Sequence, residues 1–332
     1  MNNRLLEALK CQNKGRPPVW LMRQAGRYMP EYSALRKKHT FLDICHQSEL
    51  IVQTTLLPIE LLNVDAAIIF SDLLLLAQPL GFNLVYDEGI GPLIDPVIRD
   101  PSGIPKIRSG AIENKLAPLF EAISILRKQL KVPLLGFAGA PFTLASYLIE
   151  GKTNRELRYT KQWMLSDPES FHQLLDRLSE ATAQLLMLQI EAGVQAVQLF
   201  DSWAMALSPE HFRIFALPYM DKVRQKLPPG FPVIYFSRGA HGSSLAQAHP
   251  TAISVDWTVD LPQLRKQFPT KIAVQGNLDP SWLYAPQEKL KVAVNELLNS
   301  MKDDPGYIFN LGHGIPPDVP FSNVQYLVSL LN

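Results

Sequence analysis

Apolar residues along this chain come in short unbroken runs, each closed by a polar or glycine-containing turn. Such runs predict buried strands. The first starts at Val19, behind Pro17 and Pro18, and stops where Arg23 begins a polar loop. The others occupy residues 66–70, 133–137, 196–200, 233–237, 252–255, 271–275 and 307–311. Helical spacing fills the stretches between them, over residues 31–39, 48–62, 111–131, 142–150, 167–192, 286–301 and 323–330, with a further start at Ser208. Asp167 before Pro168 and Ser208 before Pro209 are capping residues followed by proline, a pattern that opens helices. Pro58 predicts a kink or break, and Gly151 a C-cap. Residues 80–108 are rich in glycine and proline and predict an elaborated connection with short strands.

Eight apolar strands separated by helices predict an α/β protein: one (β/α)8 TIM barrel of parallel strands spanning residues 1–332, with its cleft at the C-terminal ends of the strands. An open doubly wound sheet is the competing fold. No glycine-rich dinucleotide fingerprint follows the first strand, which weakens it.

Composition narrows the function more than the fold. Apolar residues make up 47% and charged residues 19% of the chain, enough for a sizeable core and against disorder. A net charge of +1 gives no global field for nucleic acid or a membrane surface, so neither is an expected partner. A strongly anionic ligand would need positive charge concentrated locally. The two cysteines, Cys11 and Cys45, predict neither a disulfide framework nor a cysteine-based zinc site, and fit a reducing compartment. Residues 1–10 carry no signal-peptide hydrophobic region, and the longest near-apolar run, 66–77, is too short to span a bilayer. The expected setting is cytoplasmic.

The candidate chemistry gathers just past the strand ends, where a barrel builds its active site. Arg23, Gln24, Ala25, Gly26 and Arg27 form a tight loop with two guanidinium groups, suited to carboxylate or phosphate. Gly26 would let the backbone turn where a side chain obstructs. The bland alternative is two surface arginines paired with acids such as Glu31. Asp72 follows an apolar strand and precedes four leucines. It could bind N–H groups, stabilise developing positive charge, move a proton, or simply cap a helix. His313 lies between Gly312 and Gly314, where it could meet a substrate carboxylate, transfer a proton, or bond its own turn. Spacing alone makes Tyr147 a core aromatic. Ser202 has no nucleophile elbow around it, so a cap or a ligand hydrogen bond is its expected role. Gly139, Arg238, Gly239, Asp256 and Asn277 also follow strand ends, and Asp279 with Pro280 reads as a capping pair.

These stretches resemble one family. The Arg-Gln-Ala-Gly-Arg-Tyr run at 23–28, Phe-Ser-Asp at 70–72, the run at 136–144, Gln-Leu-Phe-Asp-Ser-Trp at 198–203, Gln-Gly-Asn-Leu-Asp-Pro at 275–280 and Asn-Leu-Gly-His-Gly at 310–314 are similar to the uroporphyrinogen decarboxylases, in order and over nearly the whole chain. The resemblance implies a (β/α)8 enzyme of haem biosynthesis, a homodimer with facing clefts. It implies removal of carbon dioxide from the four acetate side chains of uroporphyrinogen III, with no metal and no organic cofactor. It also implies roles: Asp72 on the pyrrole N–H groups, Arg23 and Arg27 on carboxylates, Arg27 or nearby water as proton source, Tyr147 and Ser202 on the substrate, His313 on a side-chain carboxylate, and Phe200 against the macrocycle. Gln24, Ala25 and Gly26 belong to the same binding loop. It thus replaces the core reading of Tyr147.

Two positions depart from the family pattern. Met205 stands where glycine is usual, which implies a remodelled loop at 201–208. Arg238 stands where lysine is usual, which keeps the charge but favours planar, bidentate partners. The competing functions are a zinc-dependent methyltransferase of the same fold superfamily and a non-catalytic tetrapyrrole-binding protein. Neither cysteine sits at a late strand end, as the first would require, and the second would not need Asp72.

Overall fold

The structure, a computed structural model, describes residues 2–87, 89–107, 110–239, 241–268 and 271–332. Most of the apolar runs become strands: β1 (Ala67–Ile68), then after an antiparallel hairpin of β2 (Asn83–Asp87) and β3 (Gly91–Asp95), β4 (Leu134–Gly139), β5 (Ala196–Asp201), β6 (Val233–Ser237), β7 (Ala252–Val255), β8 (Ala273–Leu278) and β9 (Tyr307–Leu311). Seven of them form one parallel sheet in the order β1-β4-β5-β6-β7-β8-β9. The hairpin lies within the expected irregular connection, whose last residue, Arg108, is outside the described residues.

The eighth expected strand, beginning at Val19, is not one. Val19 makes a single parallel bridge to Phe309, and the Phe309 N–H donates to Pro18 O at 2.9 Å while the Asp65 N–H donates to Val19 O at 2.7 Å. This segment therefore touches both ends of the seven-stranded sheet, which curls to meet it. Three of its N–H groups go to side chains instead. Pro17 and Pro18 have none, Val19 N donates to Asp65 Oδ2 (2.9 Å), Leu21 N to Gln24 Oε1 (3.1 Å) and Met22 N to Asn310 Oδ1 (3.1 Å). A strand ladder needs those donors, so an apolar run with the right look lacks the bonds of a strand.

The alternation of side chains along each strand sorts the core into two clusters. Val197, Tyr235, Ile253, Val274 and Phe309 face the helices and join a core that runs from Val19 to Leu331. Ala196, Ile234, Phe236, Ala252, Ala273 and Ile308 face inward with Trp20 and Met22, and Leu5, Ala8 and Leu9 of the helix Arg4–Leu9 pack into the same inner cluster. Polar side chains above it are bonded to one another: Trp20 Nε1 donates to Gln275 Oε1, and Gln275 Nε2 donates to Gln198 Oε1 and Ser254 Oγ, each at 2.9 Å. Buried amides are tolerated there because each finds a partner.

Helix starts follow the expected capping chemistry. Asp167 accepts from Ser170 N at the head of the helix Pro168–Ala192, and Ser208 from His211 N at the head of Pro209–Phe215. Asp279 likewise accepts from Ser281 N. Pro58 sits inside Ser48–Leu62 without dividing it. The expected helix 111–131 is two pieces, Ile112–Lys115 and Ala117–Gln129.

Candidate active site

The loop after the Val19 segment is held from beneath by Gln24. That residue is buried; its side chain accepts from Leu21 N and donates to Ala66 O (3.2 Å), and its carbonyl accepts the Tyr28 hydroxyl (2.5 Å). Gln24 is thus spent on the loop itself. The left-handed residue of this turn is Arg23, at φ 59°. Gly26 does not adopt that conformation; a Cβ there would crowd Arg23 O at 3.2 Å. Arg23 and Arg27 are exposed, Ala25 half-buried between them. The Arg23 side chain runs across Gly314, where a Cβ would lie 2.6 Å from Arg23 Cγ.

Asp72 stands beside Arg23. Its Oδ1 accepts from Leu74 N at 2.7 Å, a bond within its own turn that uses one oxygen; Leu74, and not Asp72, precedes the short turn Leu75–Ala77. Burial pushes the Asp72 carboxyl up, while the Tyr86 hydroxyl, the Leu74 N–H and Arg23 pull it back. Tyr147, in the helix Pro141–Glu150, faces the same carboxylate. Its ring meets Trp203 edge-on at 5.8 Å, and burial raises its hydroxyl above the ordinary value. Asp72, Arg23 and Tyr147 thus come together from three separate elements.

On the other side Phe137, Phe200, Phe236 and His313 form an aromatic row. Ring centroids are 5.6 Å apart from Phe137 to Phe200 and from Phe200 to Phe236, and 6.1 Å from Phe236 to His313. His313 is pulled down to about 3, first by burial and then by Arg23 and Arg238. Its imidazole is therefore neutral at physiological pH, able to donate from one nitrogen only. Arg238 lies over the Trp257 ring at 5.6 Å. Among the described residues none of Arg23, Arg27 and Arg238 is in an ion pair, so the pairing with Glu31 does not occur. The Asp72 carboxylate thus lies beside Arg23, and His313 beside Arg23 and Arg238, with these guanidinium groups in no ion pair among the described residues.

Ser202 follows β5 and is half-buried, with no hydrogen bond of its own among the described contacts. Behind it the Asp201 carboxylate is fully buried, bonded through Oδ1 to Thr143 (2.6 Å). Met205 does not strain its loop: it sits in the short turn Ala204–Ala206 with an exposed side chain, and Gly239, at φ 95°, packs against its Cα. Asn277 does not reach the cleft, because its amide donates to Asp256 O and Val259 O, both at 2.7 Å. Asp256 is likewise occupied by Gly239 N and Thr258.

Sequence reasoning missed Tyr86, Tyr32 and Cys45 around Asp72, and the ring partners Phe137 and Phe236. The last two were findable, since each ends or nearly ends an apolar strand run.

The model of the uroporphyrinogen decarboxylase family matches residues 1–332. The chain belongs to the uroporphyrinogen decarboxylase family. It is 47% identical over 329 residues to the uroporphyrinogen decarboxylase of Protochlamydia amoebophila, covering 98% of this chain and 90% of that protein. It is 44% identical over 338 residues to that of Carboxydothermus hydrogenoformans, covering 100% and 96%. Among solved structures it is similar to a methyltransferase from Methanosarcina mazei, with a TM-score of 0.84 at 22% identity over 99% of this chain and 97% of that one; at that identity the likeness speaks for the fold alone. Among the described residues no three His, Cys, Asp or Glu side chains are grouped as metal ligands, and no helix is long and apolar enough to cross a membrane.

Proposed function

We infer that this chain is a carboxy-lyase that removes carbon dioxide from the four acetate side chains of uroporphyrinogen III, giving coproporphyrinogen III in haem and tetrapyrrole biosynthesis. The observation that carries this reading is a charge pattern: the Asp72 carboxylate beside Arg23, with Arg23, Arg27 and Arg238 in no ion pair among the described residues. A polyanion needs the guanidinium groups; a cation formed during the reaction needs the carboxylate.

Loss of carbon dioxide leaves an electron pair on the side-chain carbon. A proton added to the adjacent pyrrole α-carbon makes the ring cationic, so the ring accepts that pair as the bond to the carboxylate breaks. A proton then goes to the side-chain carbon and the ring proton leaves. Per acetate, one carbon dioxide departs and one proton takes its place. The substrate supplies its own electron sink, so no cofactor is required in this scheme. Asp72 must be ionised to balance the cation and accept the pyrrole N–H groups. Arg23, Arg27 and Arg238 hold carboxylates, and Arg27 or a neighbouring water is the proposed proton source. His313 donates to a carboxylate as a neutral ring, while Tyr147 and Ser202 hydrogen-bond the substrate, Phe200 packs on the macrocycle, and the backbone of Gln24, Ala25 and Gly26 shapes the clamp.

The segment at 18–22 is read as the eighth position of a closed (β/α)8 barrel. The Val19–Phe309 bridge, the Asp65–Val19 bond and the inner cluster sealed by Arg4–Leu9 support it. The continuous core from Val19 to Leu331 supports a single catalytic domain. Family membership supports a cytoplasmic homodimer. Anaerobic incubation with uroporphyrinogen III, followed by chromatography of the oxidised products, tests the activity. Stepwise appearance of products lacking one to four carboxyl groups is expected. Binding without loss of carbon dioxide would instead make the protein a tetrapyrrole carrier.

A further inference from the structure

Tyr86 belongs to none of the expected site segments. It lies on β2, in the glycine- and proline-rich connection, with its ring edge-on to Phe41 at 4.7 Å. Its hydroxyl is buried and has no partner in full hydrogen-bond geometry among the described residues. A buried phenol normally finds one. The groups acting on it are Asp72 first, then Cys45 and Tyr147. Asp72 has already committed Oδ1 to Leu74 N. Oδ2 is left for whatever enters the cleft and for the phenol beside it, and a carboxylate oxygen accepts two donors.

We propose that Tyr86 is a positioning residue for Asp72: its hydroxyl donates to Oδ2 and holds the carboxylate, as the anion, aimed into the cleft. The catalytic part of this assignment rests on the function proposed above. The need for such a donor follows from the surroundings. Asp72 is faced by Arg23 from the first loop, Tyr32 from Pro30–Arg36, Cys45 from Phe41–Cys45, Tyr86 from β2 and Tyr147 from Pro141–Glu150. Among the described residues Arg23 is the cation acting directly on it. A bound polyanion recruits that guanidinium, and Asp72 then depends on neutral donors to remain ionised. Tyr86 supplies one without adding a charge of its own, because burial and Asp72 drive its hydroxyl far above the ordinary value.

Tyr86→Phe keeps the ring against Phe41 and removes the donor alone. The carboxyl of Asp72 is titrated by 13C NMR in both proteins, its resonance assigned by its loss in Asp72→Asn. The pH profile of kcat for decarboxylation is measured in parallel. Removing a donor to an anion raises its pKa. Asp72 in Tyr86→Phe is expected to titrate about 1 pH unit higher, with the acid limb of kcat moving up equally and turnover converging on the unmodified enzyme at high pH. Superimposed titrations would overturn the assignment. A shifted titration in a protein that does not decarboxylate would leave the positioning role standing and remove the catalytic one. An equal loss of kcat at every pH would also overturn it, since that marks a merely structural part.

Discussion

The Arg23 side chain lies in the space a side chain at position 314 would fill: a Cβ on Gly314 would sit 2.6 Å from Arg23 Cγ. The glycine beside His313 is therefore a seat for the arginine that faces Asp72. Gly314→Ala must displace Arg23 while leaving every charged group in the chain. The expected result is a KM for uroporphyrinogen raised on the order of 10-fold, with little change in thermal stability. An unchanged KM would show that Arg23 binds from another position.

Arg23→Ala and Arg238→Ala each remove an unpaired guanidinium from the cleft. A charge-assisted hydrogen bond is worth about 1.5–3 kcal/mol, so each variant should bind substrate on the order of 10- to 100-fold more weakly. The loss should shrink as salt is raised, because screening already weakens the unmodified clamp. Fluorescence titration under anaerobic conditions reads both effects.

Asp201 is a test of burial rather than of catalysis. Its carboxyl, ordinarily near 3.8, is pushed up to about 7 by desolvation, with Thr143 opposing. A group whose folded pKa is raised holds a proton in the fold that the unfolded chain has released. Its stabilising contribution is complete below the unfolded value and is lost as pH rises through about 7. Asp201→Asn should remove that part of the slope of Tm against pH between pH 4 and 7. An unaltered slope would mean that Asp201 is ionised in the fold.

Asp65 ties the Val19 segment to the residues just before β1. Its carboxylate, 2% exposed, takes two contacts from Arg16 (2.6 and 3.2 Å), one from Arg4 (3.4 Å), one from Asn2 (2.6 Å) and one from Val19 N (2.9 Å). Arg16 and Arg4 stay partly hydrated, 27% and 42% exposed, so the loss is that of charge-assisted hydrogen bonds, and Asp65→Ala should lower the free energy of urea unfolding by about 1.5–3 kcal/mol. A loss below about 1 kcal/mol would show the contact is worth no more than a surface ion pair.

The sheet was legible wherever strand bonding follows burial. The runs at 233–237, 252–255 and 307–311 match β6, β7 and β9, with backbone donors given to side chains only at the strand ends, Val233 N to Thr251 and Leu311 N to Asn310. The run at Val19 misleads because its N–H groups bond to the side chains of Asp65, Gln24 and Asn310, which no local pattern announces. Position just past an apolar run pointed to Arg23, Asp72 and His313, which the structure brings together around Arg23. Tyr147 needed the family resemblance, since its helical spacing is also that of a core residue. Tyr86 was out of reach: it lies in a connection without periodicity, and its meaning appears only when β2 brings its hydroxyl to Asp72.

The most direct test of Asp72 as the anion that balances a cationic pyrrole is Asp72→Asn, with substrate affinity and kcat measured on the same preparation. The amide keeps the carboxylate's size and one acceptor oxygen but carries no charge. The expected result is affinity within a few-fold of the unmodified protein and kcat lower by on the order of 100-fold or more. Turnover close to that of the unmodified protein would contradict the role of Asp72 and leave the cleft as a binding site whose catalytic group is elsewhere.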